Sequence, residues 1–338
     1  VKERIEEIHA LKGICVLAVC VIHATGTFLS FSTEPRNIFF FLNHLSRFSV
    51  PVFFLASGLL LFYQYHDRHP FPLRHFWQKR SAFILIPFVV WSLVYTGYLW
   101  WENPHNLAVS WIDNLTHIAL GQGYYHLYFL FVLVQLYVIF PILLKMFQRW
   151  PDSLVLVTTL WVSILALSGN WREWTSVWGI TVEEYSIRRF FPVWLFYFSF
   201  GGWLGIHWQR VRERIHRISF PALALTAILL AFLMTLEVGI EQRSGFYSLV
   251  TIPYSIILFL LVYRLARTFS LTGLSLIGRY SFGIYLIHPL IQALLVQFKL
   301  VPTPFYGFLW LLSAMVIIPL FLTMGILKWR WGGYVVGK

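Results

Sequence analysis

Lys12 and His23 bracket the stretch "KGICVLAVCVIH", ten nearly unbroken apolar residues with a cation at one end and an imidazole at the other. On a helix, eleven positions amount to about 1100° of rotation, roughly 20° past three full turns, and about 16 Å of rise. The two side chains therefore share one face at different depths. A neutral imidazole can remove a hydroxyl proton and return it to a leaving thiolate, which is what acyl transfer requires. A cation further down the same face can hold an anionic donor head. Spacing alone leaves the plainer readings open. Lys12 can be an interfacial anchor that snorkels, and His23 a neutral histidine bonded to a neighbouring helix. Few groups compete for the proton, because Glu237 is the carboxylate nearest a membrane interior and it lies close to a helix end.

Other residues join the candidate set. Arg47 is placed at the outer start of the second apolar helix, to hold an acceptor or cap the helix. Ser57 and Gly58 form a small pair that permits either close helix packing or passage of an acyl arm. His126 is expected to open the fourth helix from the outer side. His288 precedes Pro289 near mid-membrane, where it satisfies carbonyls freed by the proline or touches substrate. Tyr285, three residues earlier, can share its face. Lys79 and Arg80 form a basic pair before the third helix.

These residues must be positioned by membrane helices. Of 338 residues, 58% are hydrophobic and 12% charged, half the charge usage of a soluble domain, which is about 25%. The mean hydropathy is +0.69. Apolar runs are expected as spans at 8–30, 48–65, 82–101, 125–144, 153–169, 191–208, 219–238, 247–265, 279–298 and 305–327. The fold class is therefore an all-α polytopic membrane bundle of about ten transmembrane helices. Residues 1–338 read as one domain, with no internal repeat or separate soluble part.

Starting inside and alternating sides leaves Arg36, Arg47, Arg172, Arg188, Arg189, Arg243 and Lys299 outside and the other 19 of 26 basic residues inside. The positive-inside rule then predicts cytoplasmic N- and C-termini. The net charge of +12 is accounted for by topology and anionic headgroups, not by nucleic acid, for which no motif is present. Loops 102–124 and 170–190 mix aromatic and polar residues, which suits a carbohydrate surface or an ordinary interfacial loop. The first apolar run follows "VKERIEEIHA" with no small-residue cleavage site and is expected to persist as a helix. Cys15 and Cys20 fall on different faces, so neither a disulfide nor a metal site is expected.

With Lys12-x10-His23 in place, the chain resembles the acyltransferase 3 family of membrane acyltransferases. "FSVPVFFLASGLLL" is similar to that family's second-helix signature, "FWQKRSAFILIPFVVWSLVY" to its basic third helix, "HLYFLFVLVQLYVIFPIL" to its fourth, and "LIGRYSFGIYLIHPLI" to its late Tyr-Leu-x-His segment. One position departs. Where the family often has Arg-x-x-Arg, this chain has Arg80-Ser-Ala-Phe83.

The resemblance implies transfer of an acetyl or other short acyl group from cytosolic acetyl-CoA or another acyl-CoA to a hydroxyl of a cell-surface or exported glycan or glycolipid. His23 would be the general base. Lys12, counted with His23 in the catalytic set, would hold the donor together with Lys79 and Arg80. From their own positions, Arg47, Ser57, Gly58, His126, Tyr285 and His288 are the candidate substrate-binding residues. The implied setting is a bacterial cytoplasmic membrane, beside lipids and proteins of polysaccharide synthesis or export, with no metal. The alternative reading is a polytopic transporter or exporter of a polysaccharide or small solute.

Overall fold

The structure is a computed structural model and describes residues 5–30, 36–103, 111–168, 187–241, 248–302 and 304–338. Residues 104–110 and 169–186, which include part of loop 102–124 and most of loop 170–190, lie outside the described residues, as do Arg172 and Arg243.

Every regular element among the described residues is helical. In order these are α1 (Glu7–Ser30), α2 (Arg36–Leu45), α3 (Ser49–Tyr65), α4 (Leu73–Arg80), α5 (Ile86–Glu102), α6 (Trp111–Ala119), α7 (Tyr128–Arg149) and α8 (Asp152–Leu167). They continue as α9 (Leu195–Ile206), α10 (Trp208–Arg217), α11 (Phe220–Glu241), α12 (Thr251–Thr268), α13 (Thr272–Arg279), α14 (Ser281–Gln297), α15 (Pro304–Ile326) and α16 (Gly332–Val336). Helices dominate because a chain crossing hydrocarbon must satisfy its backbone polar groups internally.

Among the described residues seven helices are long and apolar enough to span: Glu7–Ser30, Asn37–Tyr65, Leu73–Glu102, Tyr128–Arg149, Phe220–Val238, Thr251–Thr268 and Tyr306–Ile326. The pair α13 and α14, bent by 75°, has the length and composition of an eighth if counted as one broken span. The two remaining expected segments correspond to the shorter apolar helices Asp152–Leu167 and Phe191–Ile206. The chain is thus an all-α, multi-pass membrane protein.

Several helix boundaries differ from the expectation, three of them near candidate residues. The second and third spans begin at Asn37 and Leu73, because their amphipathic leads α2 and α4 are helical too. His126 does not open the fourth helix, which begins at Tyr128. It lies in the preceding turn, where the Leu127 N–H bonds the Tyr124 carbonyl at 3.0 Å.

Two compact units are present. The first comprises 1–64 and 197–323. Here α1 lies against α13, and the crossing uses a reciprocal pair of glycines. A Cβ on Gly13 would strike the Leu274 carbonyl, and one on Gly278 would strike that of His9. The second unit comprises 65–196 and 324–338. Its core holds Tyr65, Phe71, Phe76 and Phe140, with Phe76 and Phe140 stacked at 5.4 Å. Residues Ser81–Leu85 form a π-helical turn between α4 and α5. Pro87 explains it: proline has no N–H for the Phe83 carbonyl and its ring crowds that carbonyl, so the helix widens by one residue.

Candidate active site

The site is built on the first unit, around the middle of α1. His23 is half-buried, and its ring lies 5.2 Å from that of His288 on α14, tilted by 36°. His288 is fully buried, and its Nδ1 lies 3.0 Å from the Ile284 carbonyl. A carbonyl oxygen only accepts, so Nδ1 carries the proton and the lone pair of the neutral ring is on Nε2. The Tyr285 ring is 6.2 Å from the His288 ring.

Two amides fix α1 at this turn. Gln292, one helical turn beyond His288, donates from Nε2 to the His23 carbonyl at 2.9 Å and to Thr27 Oγ1 at 2.6 Å. From α2, Asn43 donates from Nδ2 to the Ile22 carbonyl and to Thr25 Oγ1, both at 2.9 Å. Asn43 Oδ1 accepts from Arg47 Nε at 3.2 Å and from Arg47 Nη2 at 2.7 Å. The orientation of the Asn43 amide is fixed chemically, since guanidinium only donates and the Ile22 carbonyl only accepts. With both hydrogens donated and its oxygen doubly used, this buried amide is fully satisfied. It ties Arg47 to the residues on either side of His23.

Sequence reasoning missed Asn43, Gln292, Thr25 and Thr27. The available signal was a lone amide inside an apolar helix, as in "FFLNHL" and "LIQALL". Such a group must find a partner when buried among hydrocarbon side chains.

The remaining predicted residues are distributed as follows. Lys12 is half-buried on α1 beside Gly13. Ser57 and Gly58 lie where α3 meets α9, and a Cβ on Gly58 would strike the Phe198 carbonyl. Gly201 approaches the Leu55 carbonyl equally closely. Close packing therefore accounts for Gly58. Glu237 is used structurally, accepting from the Ser248 hydroxyl at 2.5 Å and the Leu249 N–H at 3.2 Å ahead of α12.

Lys79, Arg80 and His126 belong to the second unit. There His126 is buried within an aromatic cluster, 4.9 Å from Tyr95 and 5.7 Å from Tyr125. Burial first, then the neighbouring Tyr98 and Glu102, pushes the Tyr124 phenol above its ordinary range. Lys79 is exposed and Arg80 half-buried. Among the described residues no three His, Cys, Asp or Glu side chains group as metal ligands would.

A multi-pass helical protein with two facing imidazoles inside its first unit, and a guanidinium tied to the same turn, has the parts of an intramembrane acid–base site. The chain belongs to a known family: it matches the acyltransferase domain family, Acyl_transf_3, over residues 5–324. It is similar to proteins named probable poly-beta-1,6-N-acetyl-D-glucosamine export protein. The one from Staphylococcus aureus (strain MSSA476) is 22% identical over 298 residues, covering 86% of this chain and 83% of the relative. The one from Staphylococcus epidermidis is 21% identical over 300 residues, covering 86% and 81%. No solved structure matches the chain.

Proposed function

We propose that this protein is a membrane O-acyltransferase that moves an acetyl or other short acyl group from acyl-CoA to a hydroxyl of a cell-surface or exported glycan. The observation that carries the reading is the His23–His288 pair, 5.2 Å between ring centroids, on a turn held by Gln292 and by the Asn43–Arg47 bridge. His23 acts as general base. It takes the acceptor's hydroxyl proton as that oxygen attacks the thioester carbonyl. The C–S bond breaks, and the proton passes from the imidazolium to the departing CoA thiolate. Arg47 holds the acceptor, with Tyr285 and His288 beside it, and Ser57, Gly58 and His126 are further acceptor-side positions. Lys12, Lys79 and Arg80 are the cations assigned to the donor's phosphates. Residues 1–338 act as one domain in a bacterial cytoplasmic membrane, with both termini cytoplasmic.

The relatives' names favour a glycan as the acceptor, and they also support the second reading, movement of a polysaccharide across the membrane. One experiment separates the two. The purified protein in nanodiscs or proteoliposomes is given labelled acetyl-CoA and an N-acetylglucosamine oligomer. Label appearing in the glycan supports acyl transfer. Glycan flux into vesicles with no consumption of acetyl-CoA supports the exporter and overturns the enzyme reading.

A further inference from the structure

The second unit carries a group of cations that no carboxylate neutralises. Lys79, Arg80, Lys328 and Arg330 make no ion pair with any described residue. Arg80 is half-buried, with its guanidinium carbon 5.5 Å over the Phe76 ring and 5.2 Å over Tyr137. Its Nε is buried without a hydrogen-bond partner. A buried donor on a charged group is costly unless something accepts from it. Arg330 is exposed and lies 4.5 Å over the Trp331 ring.

Tertiary contacts tie the segment carrying Lys328 and Arg330 to the turn that follows Arg80. Phe83, one turn beyond Arg80, stacks on Tyr334 at 5.9 Å with ring planes only 4° apart. Tyr334 in turn lies 5.9 Å from Trp331. The Trp91 indole N–H donates to the Val335 carbonyl at 3.0 Å. Gly337, at φ 70°, closes α16 in the left-handed region that glycine favours. The segment 327–338 is therefore docked on the π-helical turn and α5 that follow Arg80, and it carries Lys328 and Arg330.

We propose that segment 327–338 completes a phosphate-binding site on the second unit, with Arg330 and Lys328 joining Arg80 and Lys79 to hold a phosphate-bearing group of the acyl donor. This rests on the acyl-CoA reading above. It adds residues from the far end of the chain that no spacing motif would connect to α4. Guanidinium groups suit phosphate because they present paired N–H donors to its oxygens. The aromatic faces beneath Arg80 and Arg330 hold each cation in position.

The test uses the full chain in zwitterionic nanodiscs, with CoA and pantetheine as soluble probes. Arg330→Gln is expected to weaken CoA binding about tenfold, the scale of one charge-assisted hydrogen bond, and to leave pantetheine binding unchanged. Arg330→Lys keeps the charge without touching the Phe83–Tyr334 contact and is expected to retain most of the affinity. Equal CoA affinity in wild type and Arg330→Gln, with Arg80→Gln weakened, overturns the proposal and leaves the donor reading standing. Absence of CoA binding by the wild type overturns both. A last arm uses nanodiscs containing phosphatidylglycerol and no CoA. If Arg330→Gln changes only the interaction with that lipid, the phosphate belongs to a headgroup and the donor assignment is overturned.

Discussion

His23 and His288 face each other from α1 and α14 with ring centroids 5.2 Å apart. Pro289 does not break α14 at this point: the helix runs from Ser281 to Gln297 with the proline inside it. The His288 Nδ1 bond to Ile284 instead pins the ring on its own helix, which gives the pair a defined geometry.

Replacing the proposed base is the first test. His23→Ala is expected to lower the acyl-transfer rate by about 10²–10⁴, the usual contribution of a positioned acid–base group. Thermal unfolding in detergent should change little, since His23 is only half-buried. Transfer at the wild-type rate by folded His23→Ala would remove His23 from the mechanism.

The pH profile follows from the sign of the chemistry. A base must be neutral to accept the proton. The rate is therefore expected to fall about tenfold per pH unit below the titration of the base and to level off above it. Initial rates across the neutral range, corrected for protein stability, check this. A flat profile counts against an imidazole base.

Asn43 offers a substitution that separates its two roles. Asn43→Asp keeps the acceptor for Arg47 and loses the donors to Ile22 and Thr25. It should retain acceptor KM while lowering kcat, because the His23 turn loses one of the two amides that fix it. Asn43→Leu loses both these donors and the two bonds that Asn43 Oδ1 accepts from Arg47, at a cost of about 1–3 kcal/mol. Steady-state kinetics alongside a melting curve would show the split. Identical kcat and KM losses in the two variants would mean that Asn43 serves packing alone.

Gly58 and Gly13 should be intolerant of bulk for a steric reason. Gly58→Val or Gly13→Val drives a side chain into a backbone carbonyl, and a misfit of this kind costs about 1–3 kcal/mol or more. Lower melting temperature and lower yield of folded protein are the expected readouts. A wild-type melting temperature for Gly58→Val would mean that α3 and α9 do not meet as described.

Parts of this were legible from the sequence. The apolar runs are local, and their length alone specifies membrane helices. The helix starts were less legible, because α2 and α4 are amphipathic and hydropathy marks only where a span becomes uniformly apolar. The shared face of Lys12 and His23 needed nothing beyond the pitch of one helix, and α1 runs unbroken through both.

The surroundings of His23 were decided elsewhere. Gln292 reaches the His23 carbonyl across 269 positions of sequence. Asn43 reads as an ordinary polar residue until its four hydrogen bonds are seen. Gly58 read as a packing contact or an acyl passage until the Phe198 carbonyl was found against it. Phe83 read as a missing arginine until Tyr334 was found stacked on it. Helical periodicity, hydropathy and charge asymmetry act over tens of residues, so the sequence by itself determined the class of protein and the face that carries the imidazole. Which distant side chains meet that face depends on how closely particular helices approach, and that is set by glycines whose partners are carbonyls far away in the chain. Only the tertiary structure decides such contacts, because each one is a match of shapes between two surfaces and neither surface alone contains it.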